Sequence, residues 1–369
     1  MSSTKMEEKD GKRNEILMRE GPPKEIINNG QREQIASALR PIASDSVRAL
    51  ISKLTDTHCH MFARLKCGES LCLPKELQAK GYVCVSTRQD DWEDYHEREK
   101  SSDVVLGMGV HPQCADEIEL KSNDWYERLE RYINLNKTCI IGEIGLDRNR
   151  RFKSTFETHQ KKVFIMQLRL AAKLNRPVSV HSVKADGAIV ELLENEVKEG
   201  HALPPKICIH SFAGSVETLK RIVRLVEGPL KTKRKSEVRR SPNHTFCFLL
   251  SLSLSHTNTL AHQVSHHQTS SNIQVRVYVG MNCWTNLWKK QARRFVNGVV
   301  KTIPNGISRF LLESDWHPLD FDFEGSIRFD VDKILLNGLI RISDMLDLSP
   351  DVMATHFESN TKEFLKTII

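Results

Sequence analysis

The sequence has no long apolar run, and this absence narrows the class of protein. No segment approaches the roughly 18 consecutive apolar residues that a membrane-spanning helix needs. The N-terminal stretch from Met1 to Asp10 also lacks the apolar core of a secretory signal peptide. We therefore expect a protein of the cytoplasm, of the nucleus or of both, with no membrane partner.

Two motifs built on cysteine or glycine are missing as well. The nine cysteines form no Cys-x-x-Cys pair, and most have apolar neighbours, as at Cys84, Cys139 and Cys208. This usage is typical of reduced, buried thiols in an intracellular protein. No Gly-x-Gly-x-x-Gly follows the first apolar run, which argues against a dinucleotide-binding fold.

The chain also has little excess of positive charge once one segment is set aside. Its formal net charge is +7, but residues 229–275 carry six basic side chains against the single acidic Glu237. That segment therefore supplies most of the net charge. The remainder is too nearly balanced to indicate a nucleic-acid-binding protein by charge alone.

From residue 54 onward, short apolar runs alternate with amphipathic stretches. Eight runs have the length of buried strands. They are Leu54–His58, Tyr82–Ser86, Val104–Val110, Cys139–Glu143, Val178–His181, Ile207–His210, Val275–Val279 and Phe310–Glu313. Helical spacing is clearest at Phe156–Leu174, Asp186–Val197 and Val216–Val226. Eight strand–helix units predict an α/β fold, a (β/α)₈ TIM barrel rather than an open doubly wound sheet.

Two segments interrupt this alternation. Residues 1–50 are polar and charged, which predicts an N-terminal extension ending in a short helix, followed by one domain over residues 51–369. Residues 229–275 lie between the sixth and seventh strands, and their low complexity predicts a long disordered insertion. They are either a genuine insertion or translated non-coding sequence from a gene-model error.

Two short segments of the insertion resemble functional motifs. Its basic run at residues 231–235 resembles a nuclear-import signal, and His262, His266 and His267 resemble a metal cluster. Low-complexity composition favours coincidence in both cases.

Six side chains that bind metals well stand at the ends of the apolar runs. They are His58, His60, Glu143, His181, His210 and Asp315. Each histidine taken singly would more often be a packed core residue. The carboxyl ends of the strands of a parallel barrel meet at one face, however, where all six would gather. The pattern predicts a divalent-metal site at the open top of the barrel.

The chemistry of these residue types suggests roles within the set. Alternate residues of a strand face the same side, so His58 and His60 can bind one ion, and Asp56 could orient a histidine through a hydrogen bond. Glu143 would be a costly buried charge without a partner, and a carboxylate is suited to bridge two ions. Asp315 could bind one ion and accept a proton from an attacking water. Asp315 and Glu143 are therefore the predicted catalytic residues.

An ordered set of motifs carries a family resemblance. The motifs are Asp56-Thr57-His58-Cys59-His60, Gly109-Val110-His111-Pro112, Gly142-Glu143-Ile144-Gly145-Leu146-Asp147, Val180-His181-Ser182, His210-Ser211-Phe212 and Leu312-Glu313-Ser314-Asp315. Together they resemble the TatD-related deoxyribonucleases, metal-dependent hydrolases on a TIM barrel within the wider amidohydrolase-like group. The resemblance runs from residue 54 to residue 365, apart from the insertion.

The resemblance implies two divalent ions, Mg²⁺ first, with Mn²⁺ or Zn²⁺ as alternatives. One ion would be held by His58, His60, Glu143 and Asp315, and the second by Glu143, His181 and His210. It also implies hydrolysis of phosphodiester bonds in DNA, and it places His111 near the substrate phosphate.

Three departures from the family pattern bear on the substrate. Trp316-His317-Pro318 follows Asp315 where small residues are usual, which predicts a bulkier mouth of the site. Arg148 begins a run of arginines in place of aromatic residues, and it is either a phosphate clamp or part of a solvated loop. Met281-Asn282-Cys283-Trp284 is also irregular. These features fit a divergent fungal-type branch, some of whose members are described as partners of a cell-cycle ubiquitin ligase subunit.

Two other functions are compatible with such a barrel. A carbamylated lysine between two metals would favour an amidohydrolase that acts on a small substrate, such as a deaminase or a lactonase. Glu143 and His181 stand where that lysine would be expected. A barrel kept mainly as a protein-interaction module is the second alternative, against which the complete set of candidate ligands argues.

Overall fold

Eight parallel strands, each hydrogen-bonded to the next along the chain, form the framework of the molecule. The computed structural model describes residues 45–62, 78–97, 103–121, 124–228, 276–283, 285–317 and 331–368, and the strands lie within these ranges. They are β1 Thr55–Cys59, β2 Gly81–Val85, β3 Val104–Met108, β4 Ile140–Asp147, β5 Val178–Val183, β6 Ile207–Ile209, β7 Val277–Asn282 and β8 Phe310–Glu313. This order confirms the predicted α/β class and the (β/α)₈ architecture.

Hydrogen bonds between β1 and the residues after β8 close the sheet into a barrel. The amide of Asp315 donates to the carbonyl of His58 over 2.9 Å, and the amide of His60 donates to the carbonyl of Trp316 over 2.7 Å. These bonds join the carboxyl ends of the first and last strands. They therefore bring the first and last candidate ligands of the chain to the same end of the barrel.

Ten α-helices of seven or more residues lie within the described residues, most of them packed outside the strands. They are α1 Asp45–Ile51, α2 Asp91–Glu97, α3 Ala115–Lys121, α4 Trp125–Leu135, α5 Lys161–Lys173, α6 Asp186–Lys198, α7 Val216–Glu227, α8 Ala292–Thr302, α9 Val331–Leu346 and α10 Pro350–Leu365. None of the described helices is long and apolar enough to cross a membrane. Helix α7 is typical: Ser215 caps its first turn by accepting from the Thr218 amide, and the buried stripe includes Leu219 and Val223.

Two apolar clusters hold the barrel together. The larger one joins the strands to the surrounding helices. The smaller one contains strand residues such as Tyr278 and Leu311 together with Phe364, Leu365 and Ile368 near the C-terminus. Because these strand residues do not belong to the outer cluster, they line the inside of the barrel, and the end of α10 covers it there.

The bounds of several elements differ from those predicted. Strand β4 continues to Asp147 and β5 to Val183, so Glu143 and His181 lie within strands rather than at their ends. The pairing of the two strands shifts register between Ile141 and Ile144, which lets the pairing continue beyond the irregularity. The last helix begins at Pro350, because Ser349 caps it and proline suits a first helical turn.

Other expectations can be compared directly with the described residues. In the predicted helix Phe156–Leu174, the apolar residues Phe164, Leu168 and Ala171 are buried, although the segment includes a π-helical turn over Phe156–Gln160 before α5. Cys84, Cys139 and Cys208 are buried thiols outside any disulfide, as predicted. The insertion at 229–275, with His262, His266, His267 and the basic run, lies outside the described residues. The same holds for residues 1–44 of the predicted extension, for Trp284 and for Pro318.

Candidate metal centre

The other five predicted ligands gather around the carboxylate of Glu143, which is buried at the carboxyl end of the barrel. Its Oε1 lies 2.6 Å from His181 Nδ1 and 2.7 Å from His210 Nε2. Its Oε2 lies 3.4 Å from His58 Nε2 and 3.3 Å from His60 Nε2. The two oxygens of one carboxylate therefore face two separate pairs of imidazoles.

Asp315 lies beside His58 and His60, the two histidines that face Glu143 Oε2. Its Oδ1 lies 3.6 Å from His60 Nε2 and 3.9 Å from His58 Nε2. Asp315 has a positive φ of 51°, a left-handed conformation that costs a non-glycine residue about 1–3 kcal/mol. The hydrogen bond from the Asp315 amide to the His58 carbonyl holds the backbone in this conformation and keeps the carboxylate beside the two histidines.

The hydrogen bond on the far side of each ring determines what that ring offers to the centre. His60 Nδ1 lies 3.0 Å from the carbonyl of Val85, which can only accept, so Nδ1 carries the proton and Nε2 turns a lone pair inward. His111 is the opposite case. Its Nδ1 accepts from the Gln113 amide, so in the neutral ring Nε2 carries the proton. His60 can therefore bind a cation, whereas His111 can donate to an anion.

His58 has a fully buried ring with an unmatched inner nitrogen. Its Nδ1 lies 2.8 Å from the hydroxyl of Ser179, and its ring stacks on that of His210 with centroids 3.9 Å apart. Among the described residues, Nε2 of His58 has no hydrogen-bond partner. A buried nitrogen of this kind is costly unless something binds to it.

Two buried carboxylates stand behind the other pair of histidines. Asp147 Oδ2 lies 3.7 Å from His181 Nε2, and Glu313 Oε1 lies 3.7 Å from His210 Nδ1. Asp147 is itself fixed by Gln113 Nε2 at 2.9 Å. Each carboxylate faces the outer nitrogen of an imidazole whose other nitrogen points at Glu143, an arrangement that orients metal-binding histidines in many proteins.

Glu313 fits only because its neighbour on β7 is glycine. A Cβ at Gly280 would lie 2.0 Å from Glu313 Oε2. The carboxylate occupies that space and accepts from the amide and hydroxyl of Ser211, at 2.5 Å and 3.0 Å. The lack of a side chain on β7 thus positions an acidic group on β8.

The electrostatics of the cluster match a site for divalent cations. Burial would raise the pKa of Glu143, but the surrounding imidazoles, with His111 and His210 foremost, hold that pKa well below its usual value. Burial also opposes ionisation of Asp315, yet the interaction with His60 and the nearby histidines lower its pKa. Burial lowers the pKa of His58 and favours its neutral form. Burial opposes protonation of His181 and His210, yet Glu143 raises the pKa of both rings, that of His181 to about 9. The ionised carboxylates are already in the form that binds metal, and a divalent cation bound beside them would displace the extra imidazole protons, so the donor set fits such a cation.

Several secondary expectations need correction. Asp56 does not bond the ring of His58; its Oδ1 accepts from the His58 amide at 3.2 Å and the Ser314 amide at 2.9 Å, so it joins the first strand to the segment that follows the last strand. Trp316 does not add bulk at the mouth of the site, because it is buried, and His317 is the residue beside His60, with ring centroids 5.6 Å apart.

Arg148 lies apart from the cluster. Its guanidinium stacks 4.4 Å above the ring of Phe156 and lies 3.7 Å from Glu157, and its side chain is about half exposed. Its predicted role as a phosphate clamp stays a prediction. His111, by contrast, does join the cluster, with Nε2 3.4 Å from Glu143 Oε1.

Sequence reasoning assigned no role to Asp147, Glu313 or Ser179. A signal existed for the two acids: Asp147 lies four residues after Glu143 on the same strand, and Glu313 lies two residues before Asp315. Even spacing along a strand puts such residues on one face. Nothing in the local pattern indicated Ser179, which reaches His58 only through barrel closure.

The family model described as "TatD related DNase" matches residues 55–241. The chain belongs to the TatD related DNase family. The match ends within the 229–275 segment, so Asp315 lies beyond it, and only the folded barrel brings that residue to the cluster.

Individual relatives share part of the chain. An uncharacterized deoxyribonuclease of Saccharomyces cerevisiae is 28% identical over 223 residues, which cover 46% of this chain and 69% of that protein. The deoxyribonuclease TATDN3 of Homo sapiens is 31% identical, with 46% of this chain and 64% of that protein covered. The Cut9-interacting protein scn1 of Schizosaccharomyces pombe is 31% identical, with 46% and 74% covered.

A solved structure supports the fold independently. The TatD homologue YJJV of Escherichia coli superposes with a TM-score of 0.56 at 17% identity, and the match covers 85% of this chain and 98% of that one. At this level of identity the likeness bears on the TIM-barrel fold and not on the substrate.

Proposed function

We propose that this protein is a divalent-metal-dependent hydrolase that cleaves phosphodiester bonds in DNA. The observation that carries the proposal is the division of Glu143 between two pairs of imidazoles, since a shared carboxylate is what two neighbouring ions require. Membership of the TatD related DNase family and the deoxyribonuclease names of two relatives support DNA as the substrate.

The ligand sets follow from the two sides of Glu143. One ion would be held by His58, His60, Glu143 and Asp315, and the other by Glu143, His181 and His210. We expect Mg²⁺, with Mn²⁺ and Zn²⁺ as alternatives. Bound there, divalent ions would polarise the phosphate and activate water for attack.

The protein's own side chains would supply proton transfer and orientation. Asp315 is a quarter exposed whereas Glu143 is almost fully enclosed, so Asp315 is the ionised carboxylate that solvent reaches. We assign Asp315 as the acceptor of the proton from the attacking water. His111 would donate its Nε2 proton to a phosphate oxygen, because its Nδ1 is already an acceptor.

The test is nucleotide release from single- and double-stranded DNA by metal-free protein, with and without Mg²⁺ or Mn²⁺. Asp315→Asn runs beside the wild type as the matched variant, since it keeps the shape of the side chain and removes its charge. Cleavage that needs metal and is lost in the variant supports the proposal. Well-folded, metal-loaded protein that leaves both DNA forms intact would contradict it and favour a small-molecule substrate.

We also propose a protein partner of the kind suggested by the fission yeast relative. That relative is named for its interaction with Cut9, and 74% of its length is covered by this chain. A cell-cycle ubiquitin ligase subunit is therefore the partner to test, by co-purification with and without the Glu143→Ala change. Binding that persists in the inactive variant would separate an interaction role from catalysis.

Localisation to the cytoplasm, the nucleus or both stays part of the proposal. Fluorescence of the tagged full chain, beside a variant with the 231–235 basic run neutralised, would test it. Nuclear signal lost only in the variant would assign the run as an import signal.

A further inference from the structure

The loop that follows β7 is anchored beside Asp315. Asn282, the last residue of β7, donates from its side chain to the carbonyl of Ser314 over 3.2 Å. Asn286 accepts from the Asn282 amide at 2.8 Å and donates to the Phe212 carbonyl at 3.2 Å. These bonds fix the loop at the end of the barrel that carries the metal centre.

Trp288 is an exposed aromatic residue on this anchored loop. It is 41% exposed, although its neighbour Leu287 is fully buried. The guanidinium of Arg341 lies 4.4 Å from the centre of the indole ring, and its Nε donates to the Leu287 carbonyl over 3.2 Å. Arg341 therefore holds the ring in place while much of the indole remains open to solvent.

The sequence around Trp288 is rich in basic residues and contains no acidic ones. Residues 285–302 contain five lysines and arginines and no aspartate or glutamate. Lys290, Arg293 and Arg294 are exposed, and among the described residues no carboxylate forms an ion pair with them. Lys289 is the exception, because the carboxylate of Asp186 lies near enough to attract its positive charge. The surface formed by Trp288, Lys290, Arg293 and Arg294 is called the β7–α8 surface below.

We propose that the β7–α8 surface binds a single-stranded stretch of the nucleic acid whose scissile bond lies at the metal centre. An exposed aromatic ring held by an arginine can stack on any base, and adjacent uncompensated cations suit a phosphate backbone. This inference rests on the proposed nuclease function. It adds a contact away from the reacting phosphate, which makes the length of the strand matter.

Anisotropy of a fluorescein-labelled 15-nucleotide oligothymidylate measures binding without hydrolysis when metal is left out. Trp288→Ala should weaken binding about 10-fold, whereas Trp288→Phe keeps a stacking ring and should recover most of the affinity. Lys290→Glu with Arg294→Glu should weaken binding further and flatten its dependence on salt. The charge-matched control is Lys137→Glu with Lys198→Glu, at exposed positions that follow α4 and end α6.

A second measurement separates this inference from the proposed function. The ratio of kcat/KM for the 15-nucleotide strand to that for a dinucleotide should fall in Trp288→Ala, chiefly through KM. Equal oligonucleotide affinity in wild type, in Trp288→Ala and in the Lys290→Glu, Arg294→Glu double variant would overturn the inference even if the enzyme cleaves DNA. Hydrolysis of neither substrate by wild type would overturn the nuclease proposal, while the binding result still decides the role of the surface. Equally tight, Trp288-dependent binding of polyglutamate would replace nucleic acid with an acidic protein.

Discussion

Buried charged and polar groups at the two ends of the barrel differ in whether they have hydrogen-bond partners. At the amino end, Arg309 is fully buried and donates to both carboxylate oxygens of Glu227, at 2.7 Å and 2.8 Å, and to the carbonyl of Pro304. At the carboxyl end, His58 Nε2 and Glu313 Oε2 are buried without a hydrogen-bond partner among the described residues. The Arg309–Glu227 pair is satisfied within the chain, and these two groups at the carboxyl end are not.

The difference separates a structural role from a functional one. A buried ion pair with every donor matched holds two elements in register, here the end of α7 and the start of β8. A buried nitrogen without a partner, such as His58 Nε2, is retained at a cost, and a cation bound there would offset that cost. The contrast therefore predicts which substitutions should remove activity and which should remove stability.

The largest expected effect is at the carboxyl end, in Glu143→Ala. The shared ligand would be lost, so hydrolysis should fall about 1000-fold or more while the barrel still folds. Steady-state hydrolysis and circular dichroism on the same preparation check both parts. Near-wild-type activity in a folded Glu143→Ala protein would rule out two ions bridged by this residue.

At the amino end, Arg309→Ala should act on stability instead. It leaves Glu227 charged and buried without its partner, which typically costs about 3–5 kcal/mol. Urea unfolding followed by fluorescence measures the loss, and the activity of the remaining folded protein should be unchanged.

The control for this change removes both charges. Arg309→Met with Glu227→Gln keeps an oxygen for the amides of Arg276 and Val277, which bond Glu227 at 2.8 Å and 2.9 Å. The double variant should be clearly more stable than Arg309→Ala. Equal losses in the two would mean that packing, not the unpaired charge, accounts for the effect.

A smaller effect, on metal affinity, is expected for Glu313→Gln and would show whether Glu313 contributes to the metal centre. Glu313→Gln keeps the oxygen that Ser211 bonds and removes only the charge facing His210 at 3.7 Å. Loss of such an orienting carboxylate typically weakens metal binding about 10- to 100-fold, which calorimetric titration with Mn²⁺ would detect. Glu363→Gln, beside Lys206 at the amino end, is the matched control and should bind Mn²⁺ as wild type does. Unchanged affinity in Glu313→Gln would restrict Glu313 to a packing role.

Much of this contrast could be predicted from the sequence, and the reason lies in which features are local. Apolar runs identify strands, and a polar residue at a run's end identifies a candidate ligand, so His58, Glu143 and Asp315 were within reach. The tautomers of His60 and His111 were not, because they depend on Val85 and Gln113, which lie elsewhere along the chain. Arg309 gave no signal either, since its partner Glu227 is separated from it by the 229–275 segment.

The smallest expected effect concerns that segment, whose two ends meet at the amino end of the barrel. Glu227 lies just before it and accepts hydrogen bonds from the amides of Arg276 and Val277 just after it. A short glycine-serine link can therefore replace residues 230–274 without moving α7 or β7. Thermal unfolding within a few degrees of wild type and hydrolysis within about twofold are expected, since the entropy of closing a connection changes only slowly with its length. His262→Ala in the full chain should likewise change neither.

A large loss on deletion would instead mean that the segment packs against the barrel. The stability of the barrel would then depend on residues 229–275 as well as on the buried groups at its two ends. Transcript sequencing across the region bears on the same point, because uninterrupted coding transcripts would exclude a gene-model error. Since both ends of the segment leave from the face opposite the metal centre, even a genuine insertion should leave the chemistry at Glu143 unaffected.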